Sequence, residues 1–335
     1  MIKEAIEKVA KNINLNEAEM RGAFDEIMSG NAAHADIVAF LVALKKKGET
    51  VEEITAAAKV MREKALKIEA GGDLVDTCGT GGSGICTFNI STTAAFVIAG
   101  AGLKVAKHGN RGASSPCGSA DVLEALGLKL DIGADMVVKC IKEIGIGFLF
   151  APLFHSAMKY AIAPRKEIAQ KTIFNLLGPL SNPANAAYQV VGVYDDKLTE
   201  PIADVLKNLA LKRAFVVHGM DGLDEITITD KTKVTELKDG KTETYYITPE
   251  KFGLKKARLE DIKGLPAKEN AEIVLSVLKG ERTPRRDVVL LNAGAALICA
   301  GKTDDFKDGI KLAAGSIDSG RAMEKLQRLI AYTKI

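Results

Sequence analysis

Over the first seventy residues, apolar positions recur at the three-to-four-residue spacing of amphipathic helices. The opening MIKEAIEKVAKN has this pattern. Asn16 is placed to cap a second helix that stops at Gly30, and His34 to Lys47 forms a third, closed by Gly48. Thr50 and Glu53 have the spacing of a capping box, which starts a long helix predicted to reach Glu69. Gly71-Gly72 then breaks the pattern.

Beyond the glycine pair, short apolar runs alternate with helical stretches. Leu74–Asp76, Val105–Lys107, Gly147–Phe150, Gln189–Val193 and Ala214–Val217 are predicted to be buried strands. Ser91 to Gly100, Lys166 to Leu177 and the Ala-rich Asp287 to Ala300 are predicted to be helices. Such alternation predicts a mostly parallel sheet with ligands at its carboxyl edge. Lys231–Thr248 is β-branched and broken at Asp239-Gly240, the signature of a hairpin. The expected architecture is a small helical domain, 1–71, joined by helices around 165–187, and a larger α/β domain over 72–335.

Composition narrows the function classes. The 335 residues are 47% apolar and 27% charged, which suits a sizeable core. A net charge of +3 and the absence of Trp argue against a nucleic-acid surface. No apolar run is long enough to span a bilayer. The N-terminal segment carries acids, unlike a signal peptide. Five scattered cysteines, none in a CxxC pair, are expected to be reduced thiols of a cytoplasmic protein.

The chemistry concentrates at strand ends. Asp76 to Thr92 reads DTCGTGGSGICTFNIST. Glycines 79, 81, 82 and 84 let the backbone turn through positive φ and expose successive N–H groups, an anion nest between a strand and a helix start. Neither a Walker ending nor a dinucleotide fingerprint is present. Lys104 to Ser119, KVAKHGNRGASSPCGS, adds Lys107, His108 and Arg111. Alone it reads as well as a solvated turn; beside the glycine loop it reads as a second phosphate clamp. HGMDGLDEIT brings Asp224 and Glu225 together in a turn, oxygen ligands suited to Mg²⁺ shared with a phosphate, or simply solvated acids. Asp221 there reads as a turn former. FLFAPLFHSAMKYAIAPR sets His155, Lys159 and Arg165 into an apolar stretch. Arg165, placed by this reading at a helix start, is unfavourable for the dipole unless it faces an anion. His155 reads equally as a core histidine.

Together GTGG, TFNIST, KHGNR, GSADVLEALG, FLFAP, FHSAMK, TIFNLLGPLSNPA and GLDE resemble the anthranilate phosphoribosyltransferase family, of the nucleoside phosphorylase-like phosphoribosyltransferases. The resemblance covers nearly the whole chain. It implies phosphoribosyl transfer from phosphoribosyl diphosphate to anthranilate in tryptophan biosynthesis, with Mg²⁺, two ions per subunit, and a homodimer formed through the helical domains. It places the donor on Gly79, Gly82, Ser83, Thr87, Asn89, Ile90, Ser91 and Thr92, and on Lys107, His108, Gly109, Asn110, Arg111, Gly112, Ala113, Ser114, Ser115 and Ser119. It places anthranilate on Gly79, Asn110, Arg165, Pro152 and His155, and metal on Ser91, Asp224 and Glu225. No covalent nucleophile is implied. The family usually has Asp where this chain has Ser83, so a different Mg²⁺ dependence is expected. A pyrimidine nucleoside phosphorylase and a non-catalytic nucleic-acid-binding paralogue are the rivals. The GTGG and KHGNR forms and the modest charge disfavour both.

Overall fold

The computed structural model of the chain describes residues 1–112 and 116–334. Four helices come first: α1 (Ile2–Ala10), α2 (Glu17–Met28), α3 (His34–Lys47) and α4 (Val51–Lys64). There follow β1 (Val75–Gly79), α5 (Ile90–Gly100), β2 (Val105–Gly109), α6 (Ser119–Ala125), α7 (Ala134–Glu143) and β3 (Ile146–Phe150). Next come α8 (Ala151–Phe154), α9 (Lys159–Ile168), α10 (Ile173–Leu180), β4 (Tyr188–Gly192), α11 (Thr199–Asn208) and β5 (Arg213–Gly219). The chain closes with β6 (Thr232–Lys238), β7 (Lys241–Ile247), α12 (Ala267–Leu278), α13 (Pro284–Cys299), α14 (Phe306–Asp318) and α15 (Arg321–Thr333).

Both predicted caps of the bundle form. Asn16 accepts from the Glu19 N–H at 2.9 Å and Thr50 Oγ1 from that of Glu53 at 3.2 Å, each with the reciprocal glutamate bond. The fourth helix is shorter than predicted. It stops at Lys64 because Ala65 is extended and the next N–H groups leave the helix: Leu66 donates to Phe154 O and Ile68 to Pro183 O. The predicted helix Lys166–Leu177 is also corrected. Ala169 turns left-handed (φ 49°), ending α9, and Thr172 starts α10 afresh.

The sheet runs β3-β2-β1-β4-β5-β6-β7. The first five strands are parallel, and the hairpin β6–β7 adds two antiparallel strands at one edge. Asp239 and Gly240 both have positive φ, which the two-residue turn of a twisted hairpin demands. One large core lies between the sheet and α5, α13, α14 and α15. A second is shared by α1–α4, α10 and α11 with Val191 of β4, Val193 just after it and Val216 of β5. The helical bundle therefore packs onto α11 and the sheet through one continuous apolar interior. Strand order reverses between β1 and β4, so their carboxyl ends flank the crevice where α/β sheets bind ligands.

Candidate functional site

Three loops meet at that crevice. The β1 strand extends to Gly79, and the glycine turn follows with positive φ at Gly81, Gly82 and Gly84. Its base is tied to β4: Thr80 N–H donates to Gly192 O, and Thr80 Oγ1 accepts from Tyr194 N–H at 3.1 Å. Its far end is tied to the segment before α12. Gly264 N–H donates to Cys86 O, and Phe88 N–H donates to Ile262 O. The Ser83 hydroxyl turns back on its own loop, donating to Ile85 O at 3.3 Å, and Thr87 lies half-buried in the bridge to Lys263.

The Asp224-Glu225 turn closes on this loop. Gly81 N–H donates to Asp224 Oδ2 at 2.8 Å. The approach requires bare glycine: a Cβ on Gly79 would lie 2.5 Å from that oxygen, and one on Gly192 would overlap the Asp224 carbonyl. Glu225 faces Ser91 at the start of α5, whose hydroxyl and N–H favour its charged form. Packing around its carboxyl, and then the charge of Asp224, push its pKa up to about 8. Two adjacent acids and a hydroxyl, with one acid held against its will to ionise, form a hard-oxygen set suited to a divalent cation such as Mg²⁺.

Lys107 lies beneath, 3% exposed, with Nζ donating to Thr77 O at 2.5 Å. A buried Asp76 braces the floor. It accepts from His108 N–H at 3.2 Å and from Asn182 Nδ2 at 2.8 Å, while burial raises its pKa and Lys107 opposes the rise. Asn89 is gripped by Asn270, which donates to its Oδ1 at 3.1 Å, and it donates to Cys117 O at 3.3 Å. Ile90 and Thr92 are each 1% exposed, packed under the helix start.

The β2 loop is ordered by Asp121 of α6, which accepts the N–H groups of Gly112 and Gly118, both at 2.8 Å. A side chain at Gly118 would collide with the backbone of Asn110–Gly112, and one at Gly109 with Ser119. Ser119 Oγ donates to Asn110 O. Arg111 is engaged by Asp121 and Glu124, which hold its pKa above the usual range, and its guanidinium lies over Phe150. The expected contacts at Ala113, Ser114 and Ser115 lie outside the described residues.

On the other side, the His108 and His155 rings lie 5.1 Å apart. Burial chiefly lowers both, His108 to about 3 and His155 to about 4, so both are neutral at pH 7. Each Nε2 is buried without a partner among the described residues. Pro152 is exposed in α8. Arg165 does not open a helix: it sits in the last turn of α9, where the dipole favours a cation. The helix dipole therefore calls for no anion at Arg165. What stands is its half-buried position, stacked 5.4 Å over Phe174, with no carboxylate paired to it among the described residues.

The braces Asp76, Asp121, Asn182 and Asn270 were missed from sequence. Asp121, three residues after Gly118, had a readable helix-start spacing; Asn182 and Asn270 had no local signal.

Among the described residues, no helix is long and apolar enough to cross a membrane. Comparison with known proteins bears on the family. The glycosyl transferase family, helical bundle domain, matches residues 3–65, and the glycosyl transferase family, α/β domain, matches residues 71–323. The anthranilate phosphoribosyltransferase of Desulfosudis oleivorans is 56% identical over 336 residues, covering 100% of this chain and 99% of the relative. The crystal structure of the Thermus thermophilus enzyme superposes with TM-score 0.94 at 42% identity, covering 99% of each chain. The Saccharomyces cerevisiae enzyme in complex with PRPP and Mg gives 0.92 at 29% identity, covering 99% of this chain and 98% of that one. Its complex with 4-fluoroanthranilate gives 0.89 at 28%, covering 100% and 99%. The chain belongs to the anthranilate phosphoribosyltransferase family.

Proposed function

We propose that this chain transfers the phosphoribosyl group of 5-phosphoribosyl 1-diphosphate to the amine of anthranilate, in tryptophan biosynthesis. The observation that carries the reading is the convergence, at the sheet's switch point, of an N–H-rich glycine turn, the Asp224–Glu225–Ser91 oxygen set and the buried Lys107.

The C1–O bond to pyrophosphate breaks, the amine nitrogen bonds to C1, and the nitrogen then loses a proton to water or to pyrophosphate. The chain's share is electrostatic and positional. The glycine-turn N–H groups and Lys107 meet the negative charge that gathers on the departing diphosphate. Ser91, Asp224 and Glu225 would hold Mg²⁺, two ions in this reading, which when bound neutralises diphosphate charge. Arg165, cationic and without an acid partner among the described residues, grips the anthranilate carboxylate and aims the amine. In this reading Asn110 and Gly79 also contact anthranilate, and the neutral imidazoles of His108 and His155 with Pro152 border its path. The amine is neutral at pH 7, so no strong base is required.

A homodimer through the helical bundle belongs to this reading, supported by the exposed Ile13 and Val42. A cytoplasmic setting is supported by five cysteines that are all free thiols.

Loss of anthranilate fluorescence in the presence of PRPP and Mg²⁺ tests the reaction. Arg165→Ala should raise KM for anthranilate about tenfold or more, the factor one charged contact contributes, while moving KM for PRPP little. Equal effects on both substrates would remove Arg165 from this role, and no fluorescence loss with the native chain would remove the reaction.

A further inference from the structure

The segment between α9 and α10 brings one more cation to the glycine turn. Ala169 reverses the chain, and Lys171, half-buried, lies across Gly82. A Cβ built on Gly82 would lie 2.9 Å from Lys171 Cε and 3.5 Å from Nζ. The ammonium also stands 3.6 Å from the centroid of the Tyr194 ring. Tyr194 is itself bonded to the loop, its N–H donating to Thr80 Oγ1. Ring, lysine and glycine turn therefore form one unit.

The π face takes up the ammonium's charge but none of its three directed N–H bonds. Among the described residues no carboxylate pairs with Lys171. Residues 79–92 contain no acid, and position 83 is Ser, whose hydroxyl is turned to Ile85 O. A lysine whose ammonium has no hydrogen-bond acceptor among the described residues, held by an aromatic platform over a glycine turn, is arranged to meet an anion there.

We propose that Lys171 is a diphosphate contact: its ammonium donates to the leaving pyrophosphate over the glycine turn, and Tyr194 is the positioning residue that holds it there. This rests on the phosphoribosyl-transfer reading and adds a residue to its leaving-group site. Lys107 reaches that site from β2, and Lys171 reaches it from the α9–α10 junction.

The test is binding of inorganic pyrophosphate with Mg²⁺ to the full chain by calorimetry, beside steady-state kinetics. Lys171→Gln should weaken pyrophosphate binding and raise KM for PRPP about tenfold each, leaving KM for anthranilate within about twofold. Lys171→Arg and Tyr194→Phe, which keep the charge and the ring, should stay near the native values. Tyr194→Leu should move toward the glutamine variant. Circular dichroism checks that each variant folds. A glutamine variant that binds pyrophosphate as the native chain does, in an enzyme that turns over, overturns the role of Lys171 alone. A native chain that consumes no anthranilate overturns the underlying reading instead.

Discussion

A methyl group at position 192 would overlap the carbonyl of Asp224, so the last residue of β4 decides where the Asp224-Glu225 pair sits. Backbone cannot swing aside as a side-chain tip can. Gly192→Ala should therefore push that turn off the glycine loop and break the Gly81–Asp224 bond. Displacements of about 1 Å at reacting groups lower rates on the order of a hundredfold, so kcat/KM for PRPP should fall by about that factor. Near-native kinetics in a variant with native circular dichroism would sink this account. Most residues that the proposed function gives to the substrates could be picked out in the sequence, because glycines, lysines and paired acids declare their chemistry locally; Lys171 could not, since its place over Gly82 depends on the turn at Ala169. The residues that hold them were not. Asp76 is secured by Asn182 and Asn89 by Asn270, partners 106 and 181 positions away. An isolated Asn carries no trace of such a partner.

Elements were legible where their signals are local. The Asn16 cap of α2, the capping box of α4 and the Asp239-Gly240 turn formed as read. The end of α4 was not legible, because what stops it is tertiary: the carbonyls of Phe154 and Pro183 take the N–H groups that would have continued the helix. The junction between α9 and α10 was missed for a related reason, since a left-handed Ala169 has no sequence mark. Even a correctly read cap hid its larger role. Glu53 reaches beyond the Thr50 N–H to the Leu15 N–H at 2.9 Å and to Lys47 Nζ at 2.8 Å, and both charged side chains are almost fully buried. One carboxylate thus fastens the α1–α2 link and the end of α3 to the start of α4. Glu53→Ala takes the carboxylate from the buried Lys47, leaving it only the neutral acceptors Asn14 Oδ1 and Gly48 O, and breaking a buried pair in this way typically destabilises by about 3–5 kcal/mol. Chemical denaturation should show that loss. A loss below about 1 kcal/mol, the value of an exposed pair, would show the bridge to be ornamental.

At the scale of the whole molecule, the α9–α10 segment is where the bundle and the sheet layers meet, and His155 lies just ahead of it, against His108 of β2. The close packing that seals this junction keeps both imidazoles neutral, and it makes the stability of the fold pH-dependent. In the folded chain His108 titrates near 3 and His155 near 4, against about 6.5 when unfolded. Between those values the unfolded chain binds protons that the folded chain refuses, so acid favours unfolding. Stability is fully present above pH 6.5 and drains as pH falls toward 4, by about 1.4 kcal/mol per pH unit for each histidine. Lys107, also facing His108, adds to the same sign. Glu225, with its raised pKa, works in the opposite direction, since its folded carboxyl keeps a proton that the unfolded one gives up. A comparison of native chain with His155→Asn cancels the Glu225 contribution. Denaturant titrations from pH 7 to 5 should show a slope of stability on pH that is shallower in the variant by about one proton. Equal slopes would mean that His155 takes up its proton as readily in the folded chain as in the unfolded one, and that the junction is open to water.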